Sequence, residues 1–172
     1  MTPEAYRVRA FCRIRHERAY DYDEKRGVWL HRLESEEEVG NLILDAGRVA
    51  VHTYIYGTSA QRTSAGLSGT GFNWIAVTDN GAAPVAGDTT LAGELVGNGL
   101  TRAQGTVTLP TGAGNVTTIE KAFTLTGPLQ AMQKTALFDA ATSGKMAHEI
   151  LFTQQTLNTN DMITLTFQIT AG

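Results

Sequence analysis

The sequence predicts a mainly-β fold, an antiparallel β-sandwich of about seven to nine strands with one short helix and an N-terminal β-hairpin arm. Three observations predict it. Short runs rich in β-branched and aromatic residues recur from Phe72 onward, separated by turn pairs such as Asn98-Gly99, Ser143-Gly144 and Asn160-Asp161. The 24 threonines crowd the same region, many at alternating positions, as pleated strands favour. Charge gathers instead at the start, where residues 1–40 carry 8 of the 14 Lys and Arg and 9 of the 17 Asp and Glu. The chain therefore divides into a charged arm, 1–40, and a sandwich body, 41–172.

In the arm, Tyr6, Val8, Ala10, Cys12 and Ile14 alternate with Arg7, Arg9, Phe11, Arg13 and Arg15, a period of two that sets four guanidinium groups on one face of a strand. The apolar run 27–33 is its expected partner, closing a long hairpin. Glu34-Ser-Glu-Glu-Glu38 then puts four carboxylates in five residues, and their repulsion favours a solvated loop or contact with a basic surface. Asp45 is placed to cap a helix over 46–56, with Val49, His52 and Tyr56 at helical spacing and Gly57 to stop it. Residues 58–71 read as a Ser/Thr/Gly loop. Strands follow at 72–78, 91–96, 100–109, 116–125, 129–138, 145–153 and 162–170. In the last, Ile163, Leu165, Phe167 and Ile169 make one apolar face while Thr164, Thr166, Gln168 and Thr170 make a polar one, so one side packs and the other meets solvent or a neighbour.

A chain of 172 residues, 42% hydrophobic with a net charge of −3, fits one domain with its own core. No stretch approaches the roughly 18 apolar residues of a membrane-spanning helix, so no membrane partner is expected. Arginines among the first apolar residues argue against a secretory leader and for synthesis in the cytoplasm. Cys12 is the sole cysteine, which excludes an internal disulfide and a thiolate zinc set. A pI near 5.8 gives no electrostatic reason to bind nucleic acid directly.

Catalytic chemistry finds no candidate. His16, His31, His52 and His148 lie on separate elements without metal-ligand spacing, so no metal or cofactor is expected. Asp21-Tyr-Asp23-Glu24 opens like a calcium loop but continues into Lys25 and Arg26, and reads as a turn. The glycines from Gly66 to Gly71 lack the Lys-Ser/Thr of a phosphate-binding loop. Strands can bring together Asp88, Glu94, Glu120 or Glu149 as a carboxylate pair, but nothing in the sequence selects them. The expected binding residues are Arg7, Arg9, Arg13 and Arg15, as a docking strip for an acidic surface such as the glutamate run of a neighbouring copy. Trp29 joins them, because large aromatics beside arginine are typical interface anchors, and Tyr20 and Tyr22 lie in the same arm.

From Asn41 to Gly172 the order of segments resembles a family of small structural proteins of tailed bacteriophages. The resemblance is carried by Asn41-Leu-Ile43, Asn73-Trp-Ile-Ala76, the loop Ala83-Pro-Val-Ala-Gly-Asp-Thr-Thr-Leu91, Leu100-Thr-Arg-Ala103 and Lys134-Thr-Ala-Leu-Phe-Asp-Ala-Ala-Thr-Ser-Gly144, about three quarters of the chain. It implies a virion component and not an enzyme. The expected role is decoration or cementing of the capsid surface, with a tail, neck or fibre component as the alternative. The expected partners are other virion proteins and further copies of the chain, as a homo-oligomer such as a trimer. A third reading is a carbohydrate-binding host-recognition module, drawn from the closeness of Tyr54, Tyr56, Phe72 and Trp74 in the sequence.

Overall fold

The computed structural model describes residues 8–40, 42–43, 71–108 and 116–171, with the side chains of 11–40, 71–108 and 116–169. It is mainly β, with two antiparallel five-stranded sheets. The strands are β1 (Val8–Asp23), β2 (Val28–Gly40), β3 (Leu42–Ile43), β4 (Trp74–Thr78), β5 (Ala103–Gln104), β6 (Thr106–Thr108), β7 (Val116–Thr124), β8 (Gln130–Phe138), β9 (Met146–Leu157) and β10 (Met162–Ala171). The first sheet runs β2-β1-β10-β7-β6 and the second β3-β9-β8-β4-β5. The expected helix over 46–56 lies outside the described residues.

At both long edges the chain walks from one sheet to the other. Gly40 ends β2 in the first sheet, and β3 begins two residues on in the second. On the far side β5 passes into β6 through Gly105, whose N–H donates to the Asn73 carbonyl at 2.7 Å. A Cβ there would lie 2.9 Å from Ile119 Cγ2 and 3.1 Å from the Glu120 carbonyl, so the strand can cross this close to β7 only as glycine.

Between the sheets lies the main core. Cys12, Ile14, Ile119, Phe123, Ile163, Leu165 and Phe167 come from the first sheet, and Ile75, Val77, Met132, Leu137, Ile150, Phe152 and Leu157 from the second. Each fully buried aliphatic or aromatic side chain contributes about 1.5–3 kcal/mol. The outer face of the second sheet carries a smaller apolar cluster, Ala76, Leu91, Ala136, Phe138 and Met146, with Trp74 against it. Hence β4 is buried on both faces.

Residues 8–40 are not an appendage on a separate body. β1 pairs with β10 over ten residue pairs, Val8↔Ala171 to Glu17↔Met162, and sends Cys12 and Ile14 into the common core. The hairpin itself is present, with β1 and β2 joined across a turn in which Asp23 Oδ1 accepts the N–H groups of Lys25 and Arg26 and Gly27 takes φ +67°. The glutamate run is no loop either, because Glu34–Glu38 lie within β2. The strand expected at 91–96 is also absent. Gly93 and Gly97 sit at φ +70° and +86°, and only a single bridge, Thr78↔Glu94, remains of it.

Candidate protein-contact surface

β1 and β2 are longer than the strands beside them. β10 accompanies β1 only as far as Glu17, so the rest of the hairpin projects as a two-stranded ribbon. Its base is tied to the β9–β10 turn by polar contacts. Ala19 N–H donates to Asp161 Oδ1 at 2.9 Å, Asn158 N–H donates to Asp161 Oδ2 at 2.8 Å, and His16 Nε2 stands 3.4 Å from the same carboxylate. Burial alone would raise the Asp161 pKa, but these donors outweigh it and hold the group below the ordinary carboxylate value. His31 Nε2 bonds the Asn160 carbonyl at 2.9 Å from the ribbon side.

On the ribbon Tyr20, Tyr22, Val28, Trp29 and Leu33 are 57%, 46%, 47%, 43% and 51% exposed, half of the large exposed apolar side chains among the described residues. Tyr22 and Trp29 are cross-strand partners with ring centroids 5.3 Å apart. A lone two-stranded ribbon is marginal in water, and a concentration of exposed aromatics on one marks a contact surface.

The arginine face of β1 is lined with carboxylates. Arg13 and Arg15 do point outward, but their carboxylates come from the same chain. Arg13 lies 3.7 Å from Glu36 and 3.5 Å from Glu38 on β2, and Arg15 lies 2.7 Å from Glu17. Arg18 and Arg32, opposite each other in the hairpin, share Glu34 at 3.7 and 3.8 Å. Within the chain, these arginines thus meet carboxylates of their own hairpin, Glu34, Glu36 and Glu38 on β2 and Glu17 on β1. The pairs on Glu34, Glu36 and Glu38 are exposed on both sides, which limits each to about 0–1 kcal/mol. Arg9 follows on β1 opposite Thr170, and Arg7 lies outside the described residues.

The second sheet keeps its charged groups inside. Lys134 Nζ and Glu149 Oε1 form an almost fully buried pair at 3.1 Å. Burial pushes the Glu149 pKa up and hydrogen bonding with the Asp88 carboxyl pushes it further, against the lowering by Lys134. Asp88 and Glu149, two of the four carboxylates considered for catalysis, are therefore brought near each other. Glu94 is held by Arg102 at 2.9 and 2.5 Å, and Glu120 accepts from Thr166 Oγ1.

Arg102 also donates to the carbonyls of Ala140 and Ser143 and lies 3.5 Å over the Phe138 ring. Four of its five N–H donors are engaged within the fold, beside a pocket of about 350 Å³ lined by Thr89, Thr90, Leu91 and Ser143 among others. Phe72 and Trp74 are half-buried, packed on the main core and the outer cluster respectively, while Tyr54 and Tyr56 lie outside the described residues. Among the described residues no three His, Cys, Asp or Glu side chains gather to hold a metal ion. The Cys12 thiol is fully buried, which raises its pKa.

Protein-family models, curated proteins and solved structures give no match to this chain. Sequence reasoning placed Trp29, Tyr20 and Tyr22 in a contact surface but missed Val28 and Leu33. Their apolar run reads equally well as a core strand, and only the end of β10 at Met162 leaves it uncovered.

Proposed function

We propose that this chain is a non-enzymatic structural protein of a tailed-phage virion, working through protein–protein contact as a decoration protein on the capsid. The observation that carries the contact role is the ribbon, with five large apolar side chains exposed beyond the end of the sheet. The resemblance of the segments from Asn41 to Gly172 to phage structural proteins supplies the setting. Binding at many equivalent lattice sites stabilises a shell by mass action, so modest contacts suffice.

The test is gradient-purified particles probed for this chain. Hundreds of copies per particle that are lost from Trp29→Ala virions support decoration. A few copies or a few dozen indicate a tail, neck or fibre component, the second reading the resemblance favours. Absence from the particles refutes both.

A further inference from the structure

We propose that the free edge of β2, Val28 to Leu33, pairs with a second copy of this chain, antiparallel and about a two-fold axis through His31. The inference rests on reading the ribbon as a protein-contact surface and is independent of the virion setting.

β2 ends its sheet, with β1 as its one hydrogen-bonded neighbour among the described residues. From Ser35 onward its outer side is occupied by β9. Ser35 Oγ donates to Gln155 Oε1 at 2.6 Å, and Glu37 accepts the Thr153 N–H at 2.9 Å. A bulge at Glu34, where His16↔Ser35 gives way to Glu17↔Leu33, marks where this cover begins. Between that bulge and the turn at Gly27, β2 advances without interruption, because the next irregularity falls on β1 at Tyr20. The open segment is therefore regular, and an exposed regular edge is a template for another strand.

Symmetry then selects the register. A two-fold axis relating antiparallel strands passes beside a residue and its own copy, so residues equidistant from that point are paired. The centres with two neighbours on either side are Leu30 and His31, and Arg32 joins them only by counting Glu34. Centring on Arg32 sets guanidinium against guanidinium and draws in the bulged Glu34. Centring on Leu30 wastes Leu33 against the turn glycine and leaves Trp29 facing the partner's His31. Centring on His31 faces Trp29 with the partner's Leu33, and Leu33 with the partner's Trp29.

Only this last register sets Trp29 and Leu33 against each other, and it does so twice, with Val28 opposite the partner's Glu34. It also extends the Tyr22–Trp29 contact into a continuous row, Tyr22, Trp29, the partner's Leu33 and the partner's Glu17, across a four-stranded sheet. Three or more strands with an apolar face give the independent stability that a two-stranded ribbon lacks. Residues 17–34 hold four basic and five acidic side chains, so two copies approach without strong repulsion. The contact is isologous and closes as a dimer, in place of the trimer expected from the sequence.

Sedimentation velocity of the full chain is expected to show a species of twice 18.5 kDa. Leu33→Glu, which sets a carboxylate in both apolar pairs, should weaken the dimer at least about tenfold. The control Val107→Glu on β6 should leave it intact. Oxidised His31→Cys should form a covalent dimer, whereas Leu33→Cys should not, since its two copies stand four residues apart, about 13 Å. Cys12 is buried and takes no part.

A wild-type monomer at every concentration overturns the proposal, as does a dimer unaffected by Leu33→Glu. Cross-linking through Leu33→Cys in preference to His31→Cys overturns the register. Should the wild type be monomeric while Leu33→Glu still abolishes particle binding, the ribbon's partner is a virion protein, and the second-copy inference fails while the proposed function stands.

Discussion

His148 on β9 is buried in the core, its ring edge-on to Phe167 with centroids 6.4 Å apart, and burial lowers its pKa from 6.5 to about 4. The unfolded chain takes up this proton near pH 6.5 and the folded chain only near pH 4. Between the two the unfolded state binds more protons, so stability is fully present above pH 6.5 and falls as the pH falls. Full linkage over this interval is about 3.4 kcal/mol, and the part realised between pH 8 and pH 4.5 is about 2.5 kcal/mol. The assay is urea unfolding of wild type and His148→Leu at both pH values, with the double difference cancelling every other titrating group. His148→Leu should lose about 2.5 kcal/mol less than wild type on acidification. If the two proteins lose the same stability within about 0.5 kcal/mol, burial is not holding the imidazole neutral and the reasoning fails.

Three further outcomes are expected. Arg102→Lys keeps the charge but gives up the fork on Glu94 and the two carbonyl contacts, and should cost about 3 kcal/mol in urea unfolding, because Glu94 and both carbonyls lose their donors. Gly99→Ala, at φ +83° with its new Cβ overlapping the Thr124 carbonyl oxygen, should cost at least about 2 kcal/mol by the same measurement. Deleting residues 1–40 should leave a chain without cooperative unfolding, since it removes the strand beside β10, whereas replacing 20–30 by a two-residue turn should leave the fold intact in circular dichroism.

The strand boundaries were legible because they are local. Asn98, Ser143 and Asn160 take positive φ, each in a turn whose composition announces it. The alternation in β1 was equally plain, with Cys12, Ile14 and His16 buried and Arg13 and Arg15 outside. What the pattern does not contain is the strand's partner. β1 pairs with β10 across almost the whole length of the chain, and a two-faced strand reads the same at the edge of an arm or in the middle of a sheet. Of the two expectations for the glutamate run, the loop fails for the same reason, while contact with a basic surface holds. The run's self-repulsion is real in isolation, but β1 sets Arg13 and Arg15 opposite Glu38 and Glu36. At 91–96 the apolar residues serve different cores, Leu91 the outer cluster and Leu95 the main one, and no single strand face can satisfy both.

These pairings also bear on how the molecule meets others. Arg13, Arg15, Arg18 and Arg32 have carboxylates of their own chain beside them, and Lys134 and Arg102 are buried against Glu149 and Glu94. A partner competing for any of these charges must first break an existing pair, and gains little more than that pair was worth. The exposed apolar side chains of the ribbon have no such prior claim, so covering them is a net gain of about 25 cal/mol per Å². Recognition driven in this way is weakly sensitive to salt, because screening acts on charges and not on apolar burial. Attachment or self-association that collapsed between low salt and 1 M would therefore assign the contact to the arginine face after all.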